Sequence, residues 1–132
     1  MTVVTESPRA KQLRDIVRDT GFVPEIDANG AVRFKAEGKT YLIPDDKDQA
    51  FIRIIHQQFR KVQNEEERPR LEAAAFEVNS STKAAKVYVE PDQVWAVTEL
   101  FCWPVERFAG VLLTSLLAVD YASEQYLKAL KA

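Results

Sequence analysis

At 132 residues the chain has room for one domain and one core, and 46% apolar residues put it well outside the disordered range. Eighteen basic residues among twenty acidic ones give a formal net charge of −2, with no basic surplus to hold nucleic acid. Cys102 is the only cysteine, which excludes an intrachain disulfide and a thiolate metal cluster and suits a reducing cytosol.

The N-terminus, "MTVVTESPRAK", places Glu6 and Ser7 where an export signal needs a basic start and an apolar run, so a cytoplasmic location is expected. "SPRAKQLRDIVRDTGF" then predicts a helix. Ser7 can cap it, Pro8 suits its first position and Gly21 can end it. Leu13, Ile16 and Val17 form its apolar stripe, with Arg14, Asp15 and Arg18 toward water.

"FVPEIDANGAVRFKAEGKTYLI" reads as three short strands. Asn29-Gly30 signals a hairpin because both residues tolerate positive φ, and Glu37-Gly38 marks a second turn. Val32 and Phe34 alternate with Arg33 and Lys35, one face buried and one wet. "PDDKDQ" is a polar loop. In "AFIRIIHQQF", residues 50–59, the β-branched side chains favour a fourth strand, with a short helix as the alternative. A second helix is expected from Asn64 through "EEERPRLEAAAFEVNSS", burying Leu71, Ala74, Ala75 and Val78, with Pro69 confined to its first turn or two.

"AKVYVEPDQVWAVTELFCW" predicts a hairpin turning at Pro91-Asp92. Along its second strand Trp95, Val97, Phe101 and Trp103 share one side, and Val94, Ala96, Leu100 and Cys102 the other. Both sides are apolar, as in a central strand covered on both faces. Pro104 opens a last helix running to about Leu130. The order is α-β-β-β-(β)-α-β-β-α, an α+β fold read as a single domain over residues 1–132.

The last helix contains "FAGVLLTSLLAVDYA", Phe108 to Ala122. It is shorter than the roughly 20 apolar residues that span a bilayer, and Asp120 interrupts it. Val105, Phe108, Leu112, Leu116 and Val119 make one stripe, and Leu113, Leu117 and Tyr121 a second. A sheet can cover the first. The second needs helix two, a partner chain, or both.

Few residues point to chemistry. His56, the only histidine, has no acid or cysteine near it in sequence, and Cys102 sits inside an apolar strand, so both read as structural. Glu65, Glu66 and Glu67 stand at a helix start beside Arg68 and Arg70, where the dipole favours them without any acid/base role. "DDKD" lacks the glycine and distal glutamate of a calcium loop, and Gly30 and Gly38 belong to turns. No catalytic, cofactor-binding or metal residue is therefore expected. Trp95, Phe101 and Trp103 read either as core or as partner-facing anchors, tryptophan being enriched at binding hot spots.

The segments "FKAEGKTYLIPDDKDQAFIRI" and "LEAAAFEVNSSTKAAKVYVEPDQVWAVTEL" resemble the YbjN-like family of bacterial domains, from about Gly21 to the chain end. The resemblance implies a twisted antiparallel sheet flanked by helices, similar to type III secretion chaperones and commonly dimeric. The family's label, sensory transduction regulator, names no reaction. Asn79 matches the family's helix-end asparagine and is expected to be a C-terminal cap.

The function expected is that of a non-enzymatic protein- or peptide-binding domain, chaperone- or adaptor-like, working as a cytosolic homodimer without nucleic-acid or membrane partners. Its candidate partner or dimer surface comprises Trp95, Phe101, Trp103, Leu113, Leu117 and Tyr121. The alternative is a small-molecule-binding or enzymatic domain using a cavity between sheet and helices.

Overall fold

A computed structural model describes residues 6–131, so the first five residues of the stretch read for an export signal lie outside the described residues. The elements are α1 (Pro8–Asp19), β1 (Glu25–Ile26), β2 (Val32–Ala36), β3 (Lys39–Ile43), β4 (Phe51–Lys61), α2 (Arg68–Ser81), β5 (Ala85–Val89), β6 (Gln93–Phe101), a 3-10 segment (Val105–Gly110) and α3 (Leu112–Lys131). The expected order holds, and residues 51–61 are strand. The result is an α+β fold with an antiparallel sheet flanked by helices, its strands in the order β1-β2-β3-β4-β6-β5.

The chain forms two compact units: one holds the chain up to Ile54 with Glu99–Leu113, the other Ile55–Thr98 with the chain from Thr114 on. In the first unit, the Ser7 hydroxyl accepts from the Ala10 N–H at 2.9 Å and starts α1, as its sequence implies. Leu13 and Val17 are fully buried, as are Val32 and Ile43 on β2 and β3. Phe34 stacks on Tyr41 at 5.9 Å and meets Phe22 at 5.4 Å.

The two turns of this unit exchange the roles expected of them. At Asn29-Gly30 only Gly30 takes positive φ (84°). The turn is instead built by Asp27, whose carboxylate accepts from the Asn29 and Ala31 N–H groups at 2.9 and 3.0 Å. The tight two-residue turn with both φ positive is Glu37-Gly38, at 51° and 80°, closing the Ala36↔Lys39 pair.

In the second unit, α2 starts later than expected, at Arg68. Pro69 is the cause: its ring would clash with the carbonyl four residues back in any helix already running from Asn64. The preceding turn is closed by the Asn64 side chain, which accepts from the Glu67 N–H at 3.0 Å. Leu71, Ala74, Ala75 and Val78 are buried, as expected.

Asn79 is not the cap expected from the family resemblance. The helix continues to Ser81, and Ala84 (φ 63°) supplies the left-handed residue. Asn79 instead pairs with the Val87 backbone, donating to its carbonyl at 3.0 Å and accepting from its N–H at 2.7 Å. β5 is an edge strand, and this amide occupies its open backbone as a neighbouring strand would.

α3 lies over β4 and β6 here: Thr98 donates to the Ser115 carbonyl at 3.5 Å, and the His56 ring meets the Ser123 hydroxyl at 2.9 Å. The last helix is not continuous from Pro104, because the 3-10 segment ends at Val111 (φ −123°, ψ 0°) before α3 begins. Its inner stripe is nevertheless as expected, with Val105, Phe108, Leu112, Leu116 and Val119 all buried.

Candidate partner-binding surface

Two exposed aromatic side chains stand where β6 ends. Phe101 is 78% and Trp103 65% exposed. Neither is core, which corrects that reading of both residues. β6 is also not covered on both faces: Val94, Ala96 and Thr98 are buried on the helix side, while on the other side only Val97 is buried and Trp95 is half-buried. A central strand needs both flanking strands but not two covered faces, and apolar periodicity does not separate these conditions.

The backbone under these aromatics is held at several points. Asp46 and Asp48 of the acidic loop close consecutive turns, accepting from the Asp48 and Ala50 N–H groups at 2.9 and 3.0 Å. The Cys102 N–H donates to the Ala50 carbonyl at 2.7 Å, tying the end of β6 to the start of β4. Arg9, buried on α1, donates to the carbonyls of Gln49 (3.4 Å) and Phe51 and lies 3.5 Å from the Asp45 carboxylate. On this base the Phe101 ring packs against Phe51 at 5.6 Å, and Trp103 borders a cleft with Arg9, Gln49, Pro104 and Glu106.

Trp95 faces Tyr88 across the β5–β6 pair, and its indole N–H is buried without an acceptor. On α3, Leu113, Leu117 and Tyr121 recur every fourth residue and are 55%, 69% and 54% exposed. Leu112 and Leu116, one residue earlier in each turn, are buried. The two stripes of the helix therefore divide as the sequence predicts, and the outer one is left uncovered by the described residues.

The residues weighed for chemistry have structural surroundings. His56 is buried, bonded to Ser123 and stacked on Phe59 at 4.9 Å. The Ser123 hydroxyl donates to the Val119 carbonyl at 3.0 Å, so its oxygen receives the His56 Nδ1–H. Cys102 is half-buried, its Sγ 4.0 Å from the Pro104 carbonyl. Glu65 chelates Arg68, whose hydrogen bonds hold its carboxyl below the usual range. Glu67 is lowered too, first by the Gln63 N–H and then by Arg60. Arg68 also donates to the carbonyls of Glu90 and Pro91, so this charge cluster fastens the β5–β6 turn.

Sequence reasoning missed Arg9 and gave Asn79 a different role. Each is a polar residue whose importance comes from what the fold places beside it, and no spacing rule carries that signal. Among the described residues no group of three or more His, Cys, Asp or Glu is placed to hold a metal ion, and no helix is long and apolar enough to cross a membrane.

The sequence matches no protein-family model and no curated protein sequence. Solved structures do resemble it. YbjN, a candidate transcription regulator from E. coli, aligns over 97% of this chain and 94% of its own, at a TM-score of 0.67 and 17% identity. The HopA1–SchA chaperone–effector complex contains a chain that aligns over 89% of this one and 93% of its own, at 0.61 and 10% identity. The chain thus has the fold shared by YbjN and a chain of a chaperone–effector complex.

Proposed function

We propose that this protein is a non-enzymatic, cytosolic protein-binding domain, chaperone- or adaptor-like, that works as a homodimer. The observation that carries the reading is the outer stripe of α3, where three large apolar side chains at helical spacing are more than half exposed. Soluble monomers seldom leave such a patch open. A self-complementary surface would cover it in both copies at once. Phe101 and Trp103, held on a fixed backbone, supply rigid anchors of the kind that dominate binding energies. One of the structures sharing the fold is that of a chaperone–effector complex, which is consistent with a protein partner.

The test is the solution mass of the wild-type chain beside a Leu113→Gln, Leu117→Gln variant. A dimeric wild type and a folded, monomeric variant are expected. A wild type that stays monomeric at every concentration overturns the homodimer.

A further inference from the structure

The open side of β5 is closed by a helix side chain. The Glu90 N–H donates to the Gln93 carbonyl at 2.8 Å, so Glu90, Tyr88 and Lys86 make the hydrogen-bonded pairs with β6. Ala85, Val87 and Val89 alternate with them, and their N–H and C=O groups point away from the sheet at its edge. The Asn79 amide meets the middle residue at both points, donating to the Val87 carbonyl at 3.0 Å and accepting from its N–H at 2.7 Å. A residue of a further antiparallel strand would make those same two bonds. Just past the end of α2, the Thr82 hydroxyl donates to the Val78 carbonyl at 2.8 Å and lies 3.4 Å from the Ala85 carbonyl.

Beneath this cover the edge suits one strand in particular, β5 of a second copy. About a two-fold axis at Val87 the strand is its own antiparallel complement. On the buried face Val87 would meet Val87 of the second copy and Ala85 would meet Val89, apolar against apolar. On the open face Lys86 would meet Tyr88, so no like charges stand opposite each other. Edge strands are commonly guarded by charged side chains, yet in "AKVYV" only Lys86 carries a charge. The guard here is the amide. We propose that Asn79 is a plug that keeps β5 from pairing with β5 of a second copy, and that removing it turns this edge into a self-association surface. The proposal is independent of the α3 stripe.

The test compares sedimentation of Asn79→Ala and the wild type at equal concentrations, whatever the wild type's own mass. Asn79→Ala is expected to form larger species that grow with concentration. Val89→Pro is the control on the surface, since it deletes an outward N–H and leaves the bonds to β6 in place, a change an edge strand tolerates. The Asn79→Ala, Val89→Pro double variant should return to the wild-type mass. Hydrogen exchange gives the same reading without the proline, because the Val89 N–H should become protected in the larger species. Val119→Ala is the control on stability: it opens the buried core on α3 and should leave the mass unchanged.

Circular dichroism melts check that each variant is folded. If Asn79→Ala unfolds, Asn79→Ser, whose hydroxyl is too short to reach both groups of Val87, is read by the same criteria. A folded Asn79 variant that keeps the wild-type mass at every concentration overturns the plug. So does association that survives Val89→Pro or leaves the Val89 N–H unprotected, because another surface is then responsible. Equal association by Val119→Ala overturns it as well, since lost stability is then the cause.

Discussion

Single polar side chains fix much of the second unit, and two of them yield measurable predictions. Tyr126 is fully buried with its hydroxyl donating to the Leu71 carbonyl at 3.0 Å, and burial pushes its pKa up to about 12. An ordinary tyrosine titrates near 10. The folded state therefore holds a proton that the unfolded state has lost between those values. Stability from this residue is complete below about pH 10 and declines as pH rises toward 12. Between roughly pH 9.5 and 11.5 the wild type should lose about 2 kcal/mol more than Tyr126→Phe, as read by denaturant unfolding. Equal losses would show that the hydroxyl titrates normally. Asn79 is the second case. Asn79→Ala removes two hydrogen bonds to Val87 and should cost about 1–3 kcal/mol. Asn79→Asp, which keeps an acceptor but sets a charge against the Val87 carbonyl, should also be destabilised rather than neutral.

At the scale of elements, the sequence specifies what depends on periodicity and caps. Ser7 and Pro8 start α1, Pro91-Asp92 turns the second hairpin, and Val105 through Val119 face inward, each as local pattern predicts. What stayed hidden depends on partners distant in the chain. Nothing local to Asn79 reveals that β5 will lie beside it with an open edge, and nothing in "QVWAVTELFCW" tells a face covered by a helix from one left open. Turn chemistry lies between these cases. Asn29-Gly30 has the stronger sequence signal, yet Asp27 wraps that turn differently, and the pair of positive φ angles falls on Glu37 and Gly38. A glutamate held at φ 51° is strained by roughly 1–2 kcal/mol relative to right-handed backbone. Asparagine tolerates this region better, so Glu37→Asn should stabilise the protein by about 0.5–1 kcal/mol. Gly38→Ala should destabilise it by about 1 kcal/mol or more. Thermal denaturation of the two variants should move in opposite directions, and a stabilising Gly38→Ala would contradict the turn geometry.

For the whole molecule, the magnitude of the exposed stripe on α3 decides what kind of dimer to expect. Leu113, Leu117 and Tyr121 would each contribute roughly 1.5–3 kcal/mol if buried from full exposure. They are 55%, 69% and 54% exposed in the free chain, so the gain is only part of that. Counted on both copies of a symmetric dimer they supply on the order of 5–11 kcal/mol, against an association cost of about 4–15 kcal/mol. The stripe alone leaves little surplus over that cost. In the proposed dimer, surrounding contacts would complete the interface, and the stripe would set its sensitivity to substitution. Solution mass should accordingly change with protein concentration, with a midpoint in roughly the micromolar range. Leu113→Gln with Leu117→Gln should remove most of the stripe's contribution and shift that midpoint about a hundredfold or more. Because both leucines are exposed within the chain, the variant's melting temperature, measured at concentrations where the wild type is monomeric, should be nearly unchanged. Leu112→Gln and Leu116→Gln provide the opposite control, since they place a polar amide in the core and should lower stability by about 2–5 kcal/mol. If the outer pair unfolds the monomer as the inner pair does, that stripe belongs to the core and the dimer proposal fails.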